Sequence, residues 1–257
     1  MLIDSHSHID TAPFDVDRDA VIVRARAAGV LEQIVPAIAQ QGWQHLRQVC
    51  NAHEGLHPAY GLHPMFLDQH QPQHLHDLAD IVEREQPVAI GECGLDFFVE
   101  GLDRDEQYRY FSAQLELARE LDLPVIVHAR RAFDEVAACI RKVSGLRGVV
   151  HSFSGSQQQA EQFWKLGFSL GIGGPVTYPR AKRLRDIVAR MPAEFLLLET
   201  DSPDQPLHGH QGQRNEPALL SEVLAVVANL RGESAAQIAA STGANARRLF
   251  NLPQSAA

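Results

Sequence analysis

The sequence lacks the features that define several large classes of protein. Its three cysteines are Cys50, Cys93 and Cys139. They are far apart and show no C-x-x-C spacing, which argues against a disulfide framework and against a thiolate zinc site. No apolar run approaches the ~20 residues of a membrane-spanning helix, so no membrane partner is expected. The first residues show neither the basic region nor the apolar core of a secretory signal, and a cytoplasmic location is expected.

Positive charge is also scarce. The chain has 23 basic and 32 acidic residues, which gives a formal net charge of −9. A broad electrostatic surface for nucleic-acid phosphates is therefore not expected, and any phosphate must be held locally. DNA ends, short oligonucleotides or small phosphodiesters fit this charge better than a long duplex. No linker, low-complexity tract or obligatory protein partner is evident, so residues 1–257 are predicted to form one domain.

Eight short apolar and β-branched runs predict strands, and segments with helical periodicity separate them. The predicted strands cover residues 2–9, 32–39, 56–64, 87–96, 124–130, 147–154, 168–174 and 194–203. Eight βα units in about 250 residues predict an α/β fold, specifically a single (β/α)8 TIM barrel with its active site at the C-terminal strand ends. An open doubly wound sheet would more usually show a glycine-rich loop after the first strand. Two further helices within residues 216–250 are expected to complete the outer helical layer.

Histidines and carboxylates stand near the C-terminal ends of five predicted strands. The first strand carries Asp4, His6 and His8 at alternate positions, which would point to one side. The other four residues are Glu92, His128, His151 and Asp201. In a barrel such residues converge although they are distant in sequence. Four imidazoles and two carboxylates are a ligand set that favours Zn²⁺ or Mn²⁺ over Mg²⁺.

Six ligands exceed the needs of one tetrahedral ion, which indicates two divalent ions with Glu92 as a bridge between them. Each residue alone has a plainer interpretation. An isolated H-x-H is a weak signal, buried histidines often only form hydrogen bonds, and Asp201 before Ser202 and Pro203 suits a turn. The metal site is predicted because these residue types recur at the same end of five strands.

The ordered motifs DSHSHID, GLHP, GECGLD, HAR, HSFSG, ETDSP and RNEP resemble the TatD family of metal-dependent hydrolases, in particular its YjjV-like branch, from residue 4 to 217. The resemblance implies a (β/α)8 barrel with deoxyribonuclease or other hydrolase activity. It implies that His6, His8 and Asp201 bind the first metal, that Glu92 bridges both, and that His128 and His151 bind the second. It also implies that four residues line or border the cleft: His63, Arg130, Arg214 and Asn215.

Hydrolysis of a phosphodiester by metal-activated water is the favoured function. Asp201 is predicted to act both as a ligand and as a general base, and Glu92 is predicted to be essential as the bridge. Arg130 offers a planar donor to a phosphate oxygen, or else pairs with Glu199 or Asp96. His63 either contacts the substrate or supports a metal ligand.

Two other functional classes stay open from the sequence. An amidohydrolase-type enzyme that cleaves an amide, lactone or ester would use the same histidines and strand-eight aspartate. Many such sites use a modified lysine on strand four, where this chain has Glu92, and the whole chain has only Lys142, Lys165 and Lys182. A non-enzymatic metal-binding or scaffold role would not require a proton acceptor such as Asp201.

Overall fold

The structure, a computed structural model, describes residues 1–253. Eight parallel strands form one sheet in the order β1 to β8, which confirms the predicted α/β barrel. The strands are β1 Leu2–Asp4, β2 Val30–Pro36, β3 Leu56–Tyr60, β4 Ala89–Asp96, β5 Val125–Arg130, β6 Gly148–Val150, β7 Phe168–Ile172 and β8 Leu196–Leu198. Several are shorter than predicted, because the apolar pattern continues into the loops that follow them.

Nine α-helices follow the strands within residues 1–253, and the first eight form the outer layer. They are α1 Arg18–Ala27, α2 Trp43–Ala52, α3 Gln73–Glu85, α4 Arg104–Glu120, α5 Phe133–Lys142, α6 Gln157–Lys165, α7 Lys182–Arg190, α8 Leu220–Arg231 and α9 Ala235–Phe250. Helix α6 begins where the Ser156 hydroxyl accepts the Gln159 N–H and the Gln159 side chain accepts the Ser156 N–H, a reciprocal cap. Within residues 1–253, no helix combines the length and apolar character needed to cross a membrane.

The barrel closes between its first and last strands by hydrogen bonds just beyond their C-terminal ends. The Asp201 N–H donates to the His6 carbonyl at 2.9 Å, and the His8 N–H donates to the Ser202 carbonyl at 2.8 Å. These bonds satisfy backbone groups that would otherwise be buried without partners. They also bring two predicted metal-site segments, distant in sequence, side by side.

Helix α9 covers the interior of the barrel, so the prediction that both final helices complete the outer layer is wrong for α9. Its Ala246, Leu249 and Phe250 pack in one buried cluster with side chains from seven strands, namely Ile3, Ile34, Ala59, Ala89, Ile126, Val149 and Leu197. These strand residues precede the predicted ligands, which places α9 at the N-terminal end of the barrel. The sequence shows that a helix has an apolar face, but not which element covers that face.

Truncation of Phe250 at this interior cluster is expected to destabilise the fold. The side chain is 2% exposed, and Phe250→Ala should lower the free energy of unfolding by about 3–5 kcal/mol, because it leaves a cavity. Urea denaturation followed by circular dichroism measures the change. Val23→Ala, at a residue 64% exposed on α1, is the control and should change stability by no more than ~0.5 kcal/mol. Equal effects would contradict a supporting role for α9.

Candidate metal centre

The first strand is shorter than predicted and ends at Asp4, before its two histidines. The Asp4 carboxylate accepts the N–H groups of His6 at 3.2 Å and of Thr200 at 3.0 Å, and the Thr200 hydroxyl at 2.6 Å. Burial raises the pKa of Asp4 to about 7. Asp4 therefore stabilises the segment after β1 by hydrogen bonds to His6 and Thr200. The imidazoles of His6 and His8 still meet, with their Nε2 atoms 3.2 Å apart.

Glu92, buried on β4, lies at the centre of five imidazoles. Its Oε2 atom faces one pair, with His6 Nε2 at 3.1 Å and His8 Nε2 at 3.6 Å. Its Oε1 atom faces the other three, which are His63 Nε2 at 3.0 Å, His128 Nδ1 at 3.0 Å and His151 Nε2 at 2.7 Å. The carboxylate thus presents one oxygen to each of two groups of nitrogen donors.

Burial and mutual proximity shift the pKa values of these groups in opposite directions. Burial disfavours the charged form of Glu92, yet the imidazoles of His151, His63 and His6 hold its pKa well below its usual range. Burial also lowers the pKa of His63 to about 4 and that of His6 well below its usual value. For His8, burial is outweighed by the Glu92 carboxylate, which raises the pKa to about 9. The imidazoles therefore differ in their affinity for protons although they lie close together.

This donor set fits divalent cations. His6 Nε2 and His8 Nε2 are 3.2 Å apart, and so are His128 Nδ1 and His151 Nε2. Two imidazole nitrogens at that distance can share one proton, and otherwise their lone pairs repel. A cation beside each pair would accept these lone pairs and balance the buried carboxylate. Three groups have all ligand atoms within 4.8 Å of one another: His6, His8 and Glu92; His63, Glu92 and His128; His6, His151 and Glu199.

Asp201 follows β8 and completes the half of the site that contains His6 and His8. Its Oδ1 atom is 3.6 Å from the Nε2 atom of each, and its Oδ2 atom accepts a hydrogen bond from the Gln205 side-chain amide. Its backbone has a φ of 56°, a left-handed conformation that is costly outside glycine and is common at functional sites. Burial raises the pKa of Asp201, so the carboxylate is a better proton acceptor than one in water.

A second buried carboxylate, Glu199, supports the opposite side of the site. Its Oε1 atom accepts the Ser152 N–H at 2.5 Å and lies 3.9 Å from His151 Nδ1. Burial raises its pKa to about 8. The sequence predicts Glu199 either as a partner of Arg130 or, from its parity with Asp201, as a carboxylate that faces the barrel interior without binding metal. The structure places it in the interior, against His151.

Asp96 is the functional residue that the sequence analysis did not assign to the site. Its Oδ2 atom is 2.9 Å from His128 Nε2, the nitrogen that faces away from Glu92. Burial opposes its ionisation, but the hydrogen bond to His128 lowers its pKa to about 2. A carboxylate in this position orients an imidazole ligand and raises its basicity. In the sequence, the GECGLD motif indicates this role, because Asp96 ends the strand that carries Glu92.

Loss of the Asp96 charge is expected to weaken metal binding. Asp96→Asn should lower metal affinity by roughly 10–100-fold, because His128 loses the partner that orients it. Competition against a chromophoric chelator measures this affinity. Glu100→Gln removes the same charge from an exposed residue of the following loop and should leave affinity unchanged. Identical affinities for the two variants would show that Asp96 does not act through the metal site.

The structure brings two of the four predicted cleft residues to the site. His63 is buried and contacts Glu92 directly. Arg130 lines the same cavity, and its guanidinium carbon lies 3.7 Å from the centroid of the Phe98 ring. No carboxylate within the described residues 1–253 lies within ion-pairing distance of Arg130, so neither Glu199 nor Asp96 is its partner.

The other two predicted cleft residues, Arg214 and Asn215, lie outside the cavity lining. Arg214 forms a two-pronged ion pair with Asp17 at 2.7 and 2.8 Å. The buried Asn215 donates from Nδ2 to the carbonyls of Thr200 and Asp204, both at 2.8 Å. Both side chains are engaged in holding loops around the barrel rather than facing the cavity.

The candidate site opens into a cavity of about 800 Å³, a size typical of small-molecule sites. Its lining includes polar groups already described, namely His8, His63, Glu92, His128, His151, Ser152, Asp201, Gln205 and Arg130. Apolar side chains, including Ile38, Met65 and Phe66, line it as well. The cavity therefore combines a concentrated set of ligands with room for an organic substrate.

Comparison with known proteins places the chain in a family. The sequence model of the family described as TatD related DNase matches residues 3–251, a span that includes every residue of the candidate metal centre. The chain is 44% identical to the uncharacterized metal-dependent hydrolase YjjV of Escherichia coli (strain K12) over 254 residues, 98% of each chain. It is 37% identical to the 3'-5' ssDNA/RNA exonuclease TatD of Pantoea sp. (strain At-9b) over 268 residues, 98% of this chain and 100% of that one.

The fold agrees with this assignment. The crystal structure of YjjV, a TatD homolog from Escherichia coli K12, superposes with a TM-score of 0.94 at 42% identity and covers 98% of both chains. The similarity therefore extends over the whole barrel and is not confined to the motifs around the site. The chain belongs to the TatD family and is a metal-dependent hydrolase.

Proposed function

We propose that this protein is a two-metal phosphodiesterase that acts on DNA ends or short oligonucleotides. The observation that carries the proposal is the position of Glu92, with one oxygen facing His6 and His8 and the other facing His63, His128 and His151. A carboxylate with donors on both sides suits a bridge between two divalent ions. The predominance of imidazole among the donors favours Zn²⁺ or Mn²⁺ over Mg²⁺.

Two such ions, when bound, would lower the pKa of water from 15.7 towards ~7 and stabilise negative charge on phosphate oxygens. The protein's own groups supply the remaining requirements. Asp201 accepts the proton of the attacking water, since burial raises its pKa. The Gln205 amide holds the Asp201 carboxylate in place. Arg130 presents a guanidinium with no carboxylate partner among the described residues, and it binds an oxygen of a substrate phosphate beside the one that is cleaved.

Two further observations support a substrate with a free end. The relative from Pantoea is named a 3'-5' ssDNA/RNA exonuclease. The net charge of −9 disfavours the extended phosphate contacts that duplex binding requires. A cytoplasmic location belongs to the same proposal and is supported by Cys50, Cys93 and Cys139, which are all free thiols.

The proposal is tested with protein stripped of metal and then supplied separately with Zn²⁺, Mn²⁺ or Mg²⁺. Hydrolysis of single-stranded DNA and of an aryl methyl phosphodiester is followed for each ion, with the stripped protein as the control. Zn²⁺ or Mn²⁺ is expected to restore cleavage of both substrates. A protein that binds these ions and cleaves neither substrate would refute the phosphodiesterase.

The amidohydrolase alternative, which would cleave an amide, lactone or ester, is not favoured by the structure. Its usual bridging group is a modified lysine on strand four. Glu92 occupies that position, and the three lysines Lys142, Lys165 and Lys182 lie on helices α5, α6 and α7. None of them lines the cavity that contains Glu92.

A further inference from the structure

Two arginine guanidinium groups lie over an exposed aromatic ring next to the cavity. Phe98 lies in the loop after β4 and is 43% exposed, and it is the only aromatic ring among the exposed large hydrophobic side chains of residues 1–253. The guanidinium carbon of Arg130 lies 3.7 Å from the ring centroid, and that of Arg131 lies 4.6 Å away. We call Phe98, Arg130 and Arg131 the Phe98 cluster.

The Phe98 cluster is held in a defined position relative to the metal centre. The Phe98 N–H donates to Asp96 Oδ1 at 2.8 Å, while the other oxygen of the same carboxylate contacts His128. The Phe97 N–H donates to the Arg130 carbonyl at 2.8 Å. The loop that carries the ring is therefore attached to the strand end that carries a metal-site histidine.

The two arginines of the Phe98 cluster have no acidic partner within residues 1–253. Of the other exposed arginines that lie over aromatic rings, Arg109 on Tyr110 pairs with Glu106. Arg104 on Phe97 and Arg180 on Tyr178 also have no acidic partner in the described residues. Arg130 differs from all three because it lines the cavity that contains Glu92. Stacking on a ring leaves the N–H edge of a guanidinium available for a phosphate. The backbone of Arg131 has a φ of 54°, a left-handed conformation that is energetically costly for a residue other than glycine. This costly conformation occurs at the residue whose side chain lies over the ring.

We propose that the Phe98 cluster is a nucleotide subsite at the mouth of the cavity. Arg130 and Arg131 bind the phosphate next to the one that is cleaved, and the attached base stacks on the exposed part of the Phe98 ring. The inference rests on the proposed phosphodiesterase function and narrows its substrate to single-stranded ends. A base in a duplex is already stacked on its neighbours, whereas an unpaired base of any type can stack on an aromatic ring.

Two substitutions of Phe98 distinguish the effect of ring stacking from the effect of side-chain volume. Phe98→Leu keeps an apolar side chain without an aromatic face and should raise KM for a single-stranded oligonucleotide roughly tenfold, the scale of one base–aromatic stack. Phe98→Tyr keeps the ring and should retain the wild-type KM. Neither should change kcat/KM for an aryl methyl phosphodiester, which has no neighbouring nucleotide to bind.

Removal of the cationic part of the cluster is the second arm of the test. Arg131→Ala should also raise KM for the oligonucleotide, while Arg109→Ala, which removes the same charge from the Tyr110 pair, should not. An unchanged KM in Phe98→Leu and Arg131→Ala would overturn the subsite. Equal losses on both substrates would overturn it too, because they would show that Phe98 acts only by positioning Asp96 and His128.

Failure of the proposed function itself would have a different signature. In that case the wild-type, metal-loaded protein cleaves neither phosphodiester. The subsite is then judged by fluorescence anisotropy with the same uncleaved oligonucleotide. A roughly tenfold weaker binding by Phe98→Leu than by Phe98→Tyr would support the subsite, and equal binding by the two variants would overturn it.

Discussion

Glu92→Gln is expected to reduce kcat for metal-restored hydrolysis on the order of 10³-fold, since loss of the bridging carboxylate removes several kcal/mol of metal-supplied charge stabilisation in the transition state. The carboxylate contacts five imidazoles through two oxygens. An amide supplies only one oxygen, and its NH2 group would face nitrogen donors across the site. The substitution therefore removes both the negative charge and one of the two ligand atoms that a bridge needs.

Metal analysis identifies the origin of this loss. After dialysis against Zn²⁺ or Mn²⁺, Glu92→Gln should retain less bound metal per chain than the wild-type protein, as measured by inductively coupled plasma mass spectrometry. Urea denaturation of the same samples checks that the variant is folded. Full activity with full metal content in Glu92→Gln would rule out the bridging role.

Asp201→Asn is expected to lower kcat by roughly 10²–10⁴-fold, the usual contribution of a general base. The substituted side chain keeps its size and retains an oxygen that can face His6 and His8, but an amide cannot accept the proton of the attacking water. Because the substrate contacts proposed above involve other residues, KM for the oligonucleotide should change little.

Steady-state kinetics on the oligonucleotide separate these two parameters. Asp204→Asn is the matched control, since it removes the same charge three residues further along the same loop. The prediction for Asp201 fails if its variant and the Asp204 variant have the same kcat. It also fails if the whole effect of Asp201→Asn lies in KM.

Much of the fold and of the centre could be predicted because the ligands lie within their strands or just beyond the C-terminal strand ends. A parallel barrel sends all C-terminal strand ends to one face, so one polar residue late in each apolar run suffices to predict convergence. The prediction for His6 and His8 assumed a strand that continues past Asp4. The structure ends the strand at Asp4. The two imidazoles nevertheless meet, because backbone hydrogen bonds join residues 5–8 to β2 and to the segment that contains β8.

Contacts between segments distant in sequence could not be predicted in this way. Asp96 meets His128 across neighbouring strands, and its role depends on which ring nitrogen faces Glu92. Arginine is a residue type that binds phosphate, which favoured Arg214 as a cleft residue. Its ion pair with Asp17, a residue distant in sequence, holds it elsewhere. Helical periodicity gave α9 an apolar face without indicating that the face covers the barrel interior. In each case the deciding partner is remote, and local pattern carries no information about it.

The closure of the barrel between β1 and β8 has a consequence for the newly made chain. His6 and Asp201 meet only when the first and last strands join. The Ser5 hydroxyl donates to the Leu198 carbonyl at this junction, and these two residues are 193 positions apart in the sequence. A ribosome-bound chain that has not yet released its eighth strand lacks Asp201, the proton acceptor proposed above, beside its first histidines. We therefore expect hydrolytic activity to appear late in synthesis, when the barrel closes.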